Sequence, residues 1–267
     1  MSTLNYIVWT VDPEIFRIGS FAVRWYGLLF AMGFVVSYFI MDKIFKREKI
    51  KHELLDTLTT YMVIGVVVGA RLGHCLFYEP EYYLKHPLEI LMIWKGGLAS
   101  HGASIGILIA LWLFSRKAKT SYLWIIDRIV IVVSIAAVFV RTGNLMNSEI
   151  YGVATDLPWG FIFTRWGETV PKHPTQIYEA LTYLLLFILL YSIYMKKWPK
   201  LNDGFIFGLF LMILFGSRFL IEFIKEPQVE FENSMFLNMG QLLSIPFILA
   251  GVVIFIYSFK SKKKEIK

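Results

Sequence analysis

Seven stretches of this 267-residue chain, at about 19–41, 54–78, 97–115, 122–141, 178–195, 204–223 and 239–259, are almost wholly apolar. A bilayer core about 30 Å thick takes roughly 20 such residues per helix. With no water in that core, a crossing segment must satisfy its own backbone hydrogen bonds. The runs therefore predict an all-α integral membrane protein of about seven transmembrane helices, one polytopic domain over 1–267. Composition agrees: 57% of residues are hydrophobic and 18% charged, where a soluble domain carries about 25% charged. The segment 86–96, "HPLEILMIWKG", is amphipathic and too short to cross. It is expected to lie in the interface or to enter and leave on one side.

The net charge of +7 raises the question of a nucleic-acid partner, and the placement of the cations answers it. They sit in short clusters between apolar runs. The loops after spans 1, 3, 5 and 7 hold sixteen Lys and Arg; the N-terminal segment and the other loops hold six. Basic loops stay in the cytoplasm, so the N-terminus is expected outside and the C-terminus inside. The single cysteine, Cys75, excludes an intramolecular disulfide, and no Cys/His spacing of a metal site occurs. The segment "MSTLNYIVWTVDPEIF" lacks a basic region followed by an apolar one. It does not read as a cleaved signal, and the first membrane helix is expected to do the targeting.

Five arginines fall inside the predicted spans. Arg128, beside Asp127, is expected to be an interfacial anchor. Arg24, Arg71, Arg141 and Arg218 are expected in the outer half of the membrane, near the carboxylates Glu149, Glu179 and Glu222. Ionisable groups at that depth usually face a cavity or a partner. Glu222 follows Arg218 by one helical turn, so the two can pair in cis. Four cations still exceed three carboxylates. A guanidinium left over suits phosphate oxygens, and the abundant anion at this level is a phospholipid headgroup. The bland alternative is that these arginines snorkel to the interface or lock helices together.

His101 sits among small residues in "GGLASHGASIG". Small residues serve helix packing in membranes, but packing needs no histidine, and imidazole suits proton transfer near neutral pH. His74 reads as a hydrogen-bonded packing residue, His86 and His173 as loop residues. Tyr26, beside Trp25, reads from spacing alone as part of an aromatic belt. After span 4 comes a loop region, 142–177, expected on the outer face. Its start, "VRTGNLMNSEIYG", gathers Arg141, Asn144, Asn147 and Glu149, with Gly143 and Gly152 permitting turns.

That stretch reads G-N-x-x-N-x-E-x-x-G, and it resembles the signature of the prolipoprotein diacylglyceryl transferases, bacterial inner-membrane enzymes. Four further stretches resemble the same family in the same order: "WYG" at Trp25–Gly27, "GARLG" at Gly69–Gly73, "HGASIG" at His101–Gly106 and "HPTQIYE" at His173–Glu179. A fifth, "RFLIEFIKEP" at Arg218–Pro227, completes the series. The chain departs from the family pattern at Arg24, Ala103, Ser104 and Lys225, and it has Leu214 and Phe215 where a tyrosine is usual.

The resemblance implies a transferase without metal or organic cofactor. It would move the diacylglyceryl group of phosphatidylglycerol to the lipobox cysteine of a preprolipoprotein, at the outer face of the cytoplasmic membrane. Catalytic roles are expected for His101, Arg141, Glu149, Arg218 and Glu222. Substrate contacts are expected for Tyr26, Arg71, Asn144, Asn147 and Gly152. Partners would be the lipid, the signal peptide with its lipobox and the surrounding membrane lipids, with no nucleic acid. The competing reading is a membrane transporter or channel for a small organic anion. It is disfavoured because the polar residues cluster at one face instead of the midplane.

Overall fold

The chain enters its first helix later than the apolar run suggests. Glu14, Arg17 and Arg24 punctuate residues 14–24, and Gly19 at φ +59° supplies a left-handed turn. The result is a hairpin, β2 (Glu14–Ile18) against β3 (Phe21–Arg24), with Glu14 opposite Arg24. In the computed structural model of the chain, which describes residues 6–19, 21–93, 96–227, 232 and 235–260, helix α1 then runs Trp25–Arg47. Strand β1 (Ile7–Trp9) lies parallel to β4 (Phe161–Phe163). The protein is thus mostly helical rather than all-α. Arg24 is a strand residue whose exposed side chain lies 3.4 Å from Glu14, not a member of the first span.

The remaining helices are α2 (His52–Phe77), the short α3 (Pro80–Lys85), α4 (Ser100–Ala118), α5 (Tyr122–Met146), α6 (Thr175–Lys197), α7 (Phe205–Ile221) and α8 (Met239–Lys260). Among the described residues, six helices are long and apolar enough to cross a membrane: α1, α2, α5, α6, α7 with its following turn, and α8. The predicted third span is the 19-residue α4, outside that set. Ser100 and His101 at one end and Arg116 and Lys117 at the other shorten its apolar run. The amphipathic stretch forms a 3₁₀ turn at Pro87–Leu91.

The described residues divide between two compact units, one within 1–40 and 127–263, the other within 41–126, with α1 and α5 crossing the boundary. In the second, α2 and α4 touch backbone to backbone. Gly65, Gly69 and Gly73 recur every four residues along one face of α2, against Gly102 and Gly106 of α4. A Cβ at Gly102 would lie 2.6 Å from the Gly73 Cα and one at Gly106 3.0 Å from the Gly69 Cα. The glycines of "HGASIG" are a helix seam. Phe45, Leu55, Leu111, Phe114 and Ile125 are buried residues of that unit.

In the first unit, the Asp127 carboxylate accepts the Gly204 and Phe207 N–H groups, each at 2.7 Å, at the start of α7. Those N–H groups have no partner within their own helix. Asp127 and Arg128 are buried, the latter with its guanidinium 5.8 Å from the Tyr194 ring. Arg128 is therefore a packed residue rather than the interfacial anchor expected. At the other end of α5, Leu145, Phe161 and Phe163 form a small core with Trp9, Tyr151 and Ile177. The Trp9 indole N–H donates to the Leu145 carbonyl at 3.0 Å, fixing where α5 stops.

Candidate functional site

Arg141 and Asn144 are three residues apart on the last turns of α5 and so share a face. Arg141 Nη1 donates to Asn144 Oδ1 at 3.2 Å, and Asn144 Nδ2 donates to Glu149 Oε1 at 2.7 Å. Asn147 Nδ2 reaches the same carboxylate oxygen at 3.3 Å. The polar groups after α5 are thus one connected chain, cation to amide to carboxylate.

The backbone that presents Glu149 is strained. Ser148 has φ +56° and the β-branched Ile150 φ +61°. Left-handed conformations are rare for such residues and persist only where surroundings enforce them. The enforcement comes from the start of α6. Thr175 Oγ1 donates to the Ile150 carbonyl at 2.8 Å and Gln176 Nε2 to the Glu149 carbonyl at 2.7 Å. Both side chains are buried. Two residues on, Gly152 sits where three segments meet: its N–H donates to the His173 carbonyl at 2.8 Å, and a Cβ there would lie 2.8 Å from both His173 Cβ and Thr175 Cγ2. Beside it in the chain, the Tyr151 hydroxyl donates to Glu168 at 3.0 Å. Burial and that carboxylate push the phenol up to about 12.

Glu179, one turn into α6, is fully buried and bridges two cations. Its Oε2 lies 2.9 Å from Arg141 Nε and its Oε1 accepts Lys225 Nζ at 3.1 Å. Lys225 Nζ lies 3.5 Å from Glu222 Oε2. A buried charge is tolerated when it is paired, and Arg141, Glu179, Lys225 and Glu222 pair in series, although Glu179 Oε2 and Glu222 Oε2 accept no hydrogen bond among the described residues. Arg218, half-buried on α7, has no ion pair or hydrogen bond of its side chain among the described residues. The cis pairing expected between Arg218 and Glu222 does not form.

Arg24 pairs with Glu14 in the hairpin and Lys225 joins the relay, so the six groups to weigh are the cations Arg141, Arg218 and Lys225 and the carboxylates Glu149, Glu179 and Glu222. The site holds no surplus of cations; what it holds is one guanidinium without a carboxylate. Tyr26, at the start of α1, packs its ring on Gly143 of α5, where a Cβ would lie 2.8 Å from Cδ2.

Arg71 and His101 belong to the second unit. Arg71 is buried and commits its donors to backbone carbonyls: Nε to Ile90 at 2.9 Å, Nη1 to Gly96 at 2.6 Å, Nη2 to Glu89 at 2.6 Å. Its guanidinium lies 5.0 Å from the Tyr83 ring. It clamps the segment after α3. His74 stacks on Tyr78 with centroids 5.9 Å apart, as a packing residue does. His101 is the second residue of α4, exposed, with no hydrogen bond of its imidazole among the described residues.

Glu179, expected from the sequence as a carboxylate beside the arginines, pairs with Arg141, whereas Lys225, Thr175 and Gln176 are not among the expected site residues. A signal existed for Lys225: a cation three residues after Glu222, closing a nearly uncharged run.

Comparison with known proteins supplies the rest. Residues 13–257 match the family described as prolipoprotein diacylglyceryl transferase. A protein of Tolumonas auensis is 48% identical over 259 residues, covering 97% of this chain and 100% of its own. One of Porphyromonas gingivalis is 47% identical, with 98% of each chain covered, and one of Chloroherpeton thalassium 43% identical, with 99% of each covered. All three carry the name phosphatidylglycerol–prolipoprotein diacylglyceryl transferase.

Proposed function

The chain belongs to the prolipoprotein diacylglyceryl transferase family, and from that premise we propose that it alkylates the lipobox cysteine of preprolipoproteins with the diacylglyceryl group of phosphatidylglycerol. The cysteine sulfur forms a bond to the glyceryl carbon. The bond from that carbon to the phosphate oxygen breaks, its electron pair leaves on oxygen, and glycerol 1-phosphate departs. The observation that carries the reading is Arg218, a half-buried guanidinium without a carboxylate, in the same unit as the Arg141–Asn144–Glu149 chain. Charge grows on the leaving phosphate in the transition state, and fixed cations stabilise it there more than in the ground state. Arg141 and Arg218 take that role.

The thiolate is the attacking form of cysteine, and His101 is the base that removes its proton. Glu149 orients Asn144 and Asn147 toward the glycerol hydroxyls, and Tyr26 contacts the headgroup. Gly152 keeps the loop closed behind Glu149, and Glu222 tunes the cations near it. Arg71 supports lipid binding indirectly, through the segment it clamps. The protein is a multi-pass membrane protein; we place it in the bacterial cytoplasmic membrane with α4 as the seventh crossing. The N-terminus is then outside, the C-terminus is cytoplasmic, and the 142–177 region and chemistry are at the outer face. Signal peptide and lipid both enter laterally from the bilayer. No observation favours the transporter reading.

The direct test mixes purified protein, phosphatidylglycerol and a lipobox peptide. The expected product is a peptide heavier by one diacylglyceryl group, with one glycerol phosphate released per thioether. A peptide with serine for cysteine gives neither; phosphate release that ignores the cysteine would sink the reading. Two substitutions extend it. Cys75→Ser is expected to keep turnover, because the reacting thiol belongs to the substrate and Cys75 is buried in α2. Thr175→Val, which removes the bond to the Ile150 carbonyl, is expected to lower kcat about ten- to a hundredfold, the scale of a misplaced catalytic group. Thr175→Ser keeps the hydroxyl and is expected to keep most of the activity; equal loss in both would refute the positioning role.

A further inference from the structure

Helical geometry favours an ion pair that this protein does not make. Glu222 lies one full turn beyond Arg218, and its N–H donates to the Arg218 carbonyl, so the turn between them is intact. Side chains spaced this way usually meet, and opposite charges so placed attract. Yet the Glu222 carboxylate points elsewhere. Its Oε2 lies 3.5 Å from Lys225 Nζ, and it rests on Gly240 of α8, where a Cβ would lie 2.6 and 2.7 Å from its two oxygens. Asn238 Nδ2 donates to the Glu222 carbonyl at 3.2 Å and holds the backbone of this turn. Lys225 is itself held by Glu179 at 3.1 Å and is buried.

We infer that Lys225 is a positioning residue that holds the Glu222 carboxylate off Arg218, so that the Arg218 guanidinium stays available to an anionic phosphate ester. The inference rests on Arg218 being a phosphate-binding group. The ion pair at 3.5 Å is too long for a good hydrogen bond, and Glu222 Oε2 is buried with no hydrogen-bond partner among the described residues. Charge and the bare backbone of Gly240, not a tight bond, set its direction. Removing the Lys225 charge removes that pull, and Arg218, one turn back on the same helical segment, is spaced to take the carboxylate. Glu222 then competes with the lipid phosphate for the same donors. Lys225 is thereby a determinant of affinity for the anionic headgroup without touching it.

The test is steady-state kinetics on the full-length protein at saturating lipobox peptide, with phosphatidylglycerol varied and melting temperature recorded. Lys225→Met is expected to raise KM for the lipid about tenfold, the worth of one charge-assisted hydrogen bond, with a smaller fall in kcat. Lys225→Arg keeps the charge and is expected to keep KM. The decisive variant is Lys225→Met with Glu222→Gln. Its kcat is expected to be low, but its KM returns to within about twofold of the parent, because the carboxylate that captured Arg218 has lost its charge. A merely structural lysine predicts the reverse, a KM at least as high in the double variant, and that result overturns the inference. So does an unchanged KM in a folded Lys225→Met. If that variant does not fold, Lys225→Gln faces the same comparison. Arg218→Gln separates the premise from the inference: if its KM matches the parent, Arg218 does not bind the phosphate. If its KM rises while that of Lys225→Met does not, only the role of Lys225 fails.

Discussion

Arg141→Ala is expected to lower kcat for glycerol phosphate release by about 10²–10³-fold, the loss seen when one donor to a developing oxyanion is removed, about 2.7–4 kcal/mol of barrier. Two effects add in this substitution. In the proposed mechanism the leaving phosphate loses one of its two cations, and the Arg141–Asn144–Glu149 chain loses its first member. Stability suffers as well, because Glu179 is fully buried and one of its two cations is gone. Breaking a buried pair outright costs about 3–5 kcal/mol; Lys225 remains on the other oxygen, so the lower end applies. Arg141→Lys restores the charge but not the planar fork, which here places Nε 2.9 Å from Glu179 in an ion pair and donates to Asn144 through Nη1. It is expected to recover stability more than turnover. Melting temperature measured beside kcat separates the two losses, and a kcat within a few-fold of the parent in a folded Arg141→Ala would remove Arg141 from the chemistry.

Gly102→Val is expected to be the most disruptive single change in the second unit. The atoms that would meet its Cβ are Gly73 Cα at 2.6 Å, Gly73 N at 3.0 Å and the Gly69 carbonyl, all backbone. A flexible side chain could move aside; a helix backbone cannot without parting α2 from α4. Overpacking typically costs about 1–3 kcal/mol, occasionally more, and this site lies at the upper end because the whole seam must open. The expected result is a melting temperature lower by several degrees or a protein that fails to accumulate. Gly216→Ala is the control: an added methyl meets nothing within 4 Å in the middle of α7, so no fall is expected. Equal behaviour of the two would mean that the seam does not hold the unit together.

The sequence made some features readable because they are local. Twenty apolar residues announce a span without reference to the rest of the chain. Arg141, Asn144, Asn147 and Glu149 lie within nine residues, so their convergence needed only a helix end and a turn. The misses are all long-range. Residues 19–24 read as the start of the first membrane run, since the apolar residues 21–23 look alike in strand and helix; the pairing of Glu14 with Arg24 across a hairpin decides otherwise. Arg71 looked like an anion contact because no periodicity reveals that carbonyls 18 to 26 residues ahead would take its donors. Thr175 and Gln176 gave no hint of their task, which exists only because Ser148 and Ile150 adopt a conformation their residue types disfavour. The absent Arg218–Glu222 pair reversed a sound local rule through two partners that the rule does not see, Lys225 and Gly240.

The central claim is that the headgroup phosphate is held by Arg141 and Arg218. It is tested most directly by a high-resolution structure of the protein in nanodiscs of phosphatidylglycerol. Phosphate density is expected within hydrogen-bond distance of both guanidinium groups, with Glu222 still turned toward Lys225. Phosphate bound away from both arginines, or Glu222 closed onto Arg218 with the lipid in place, would contradict it.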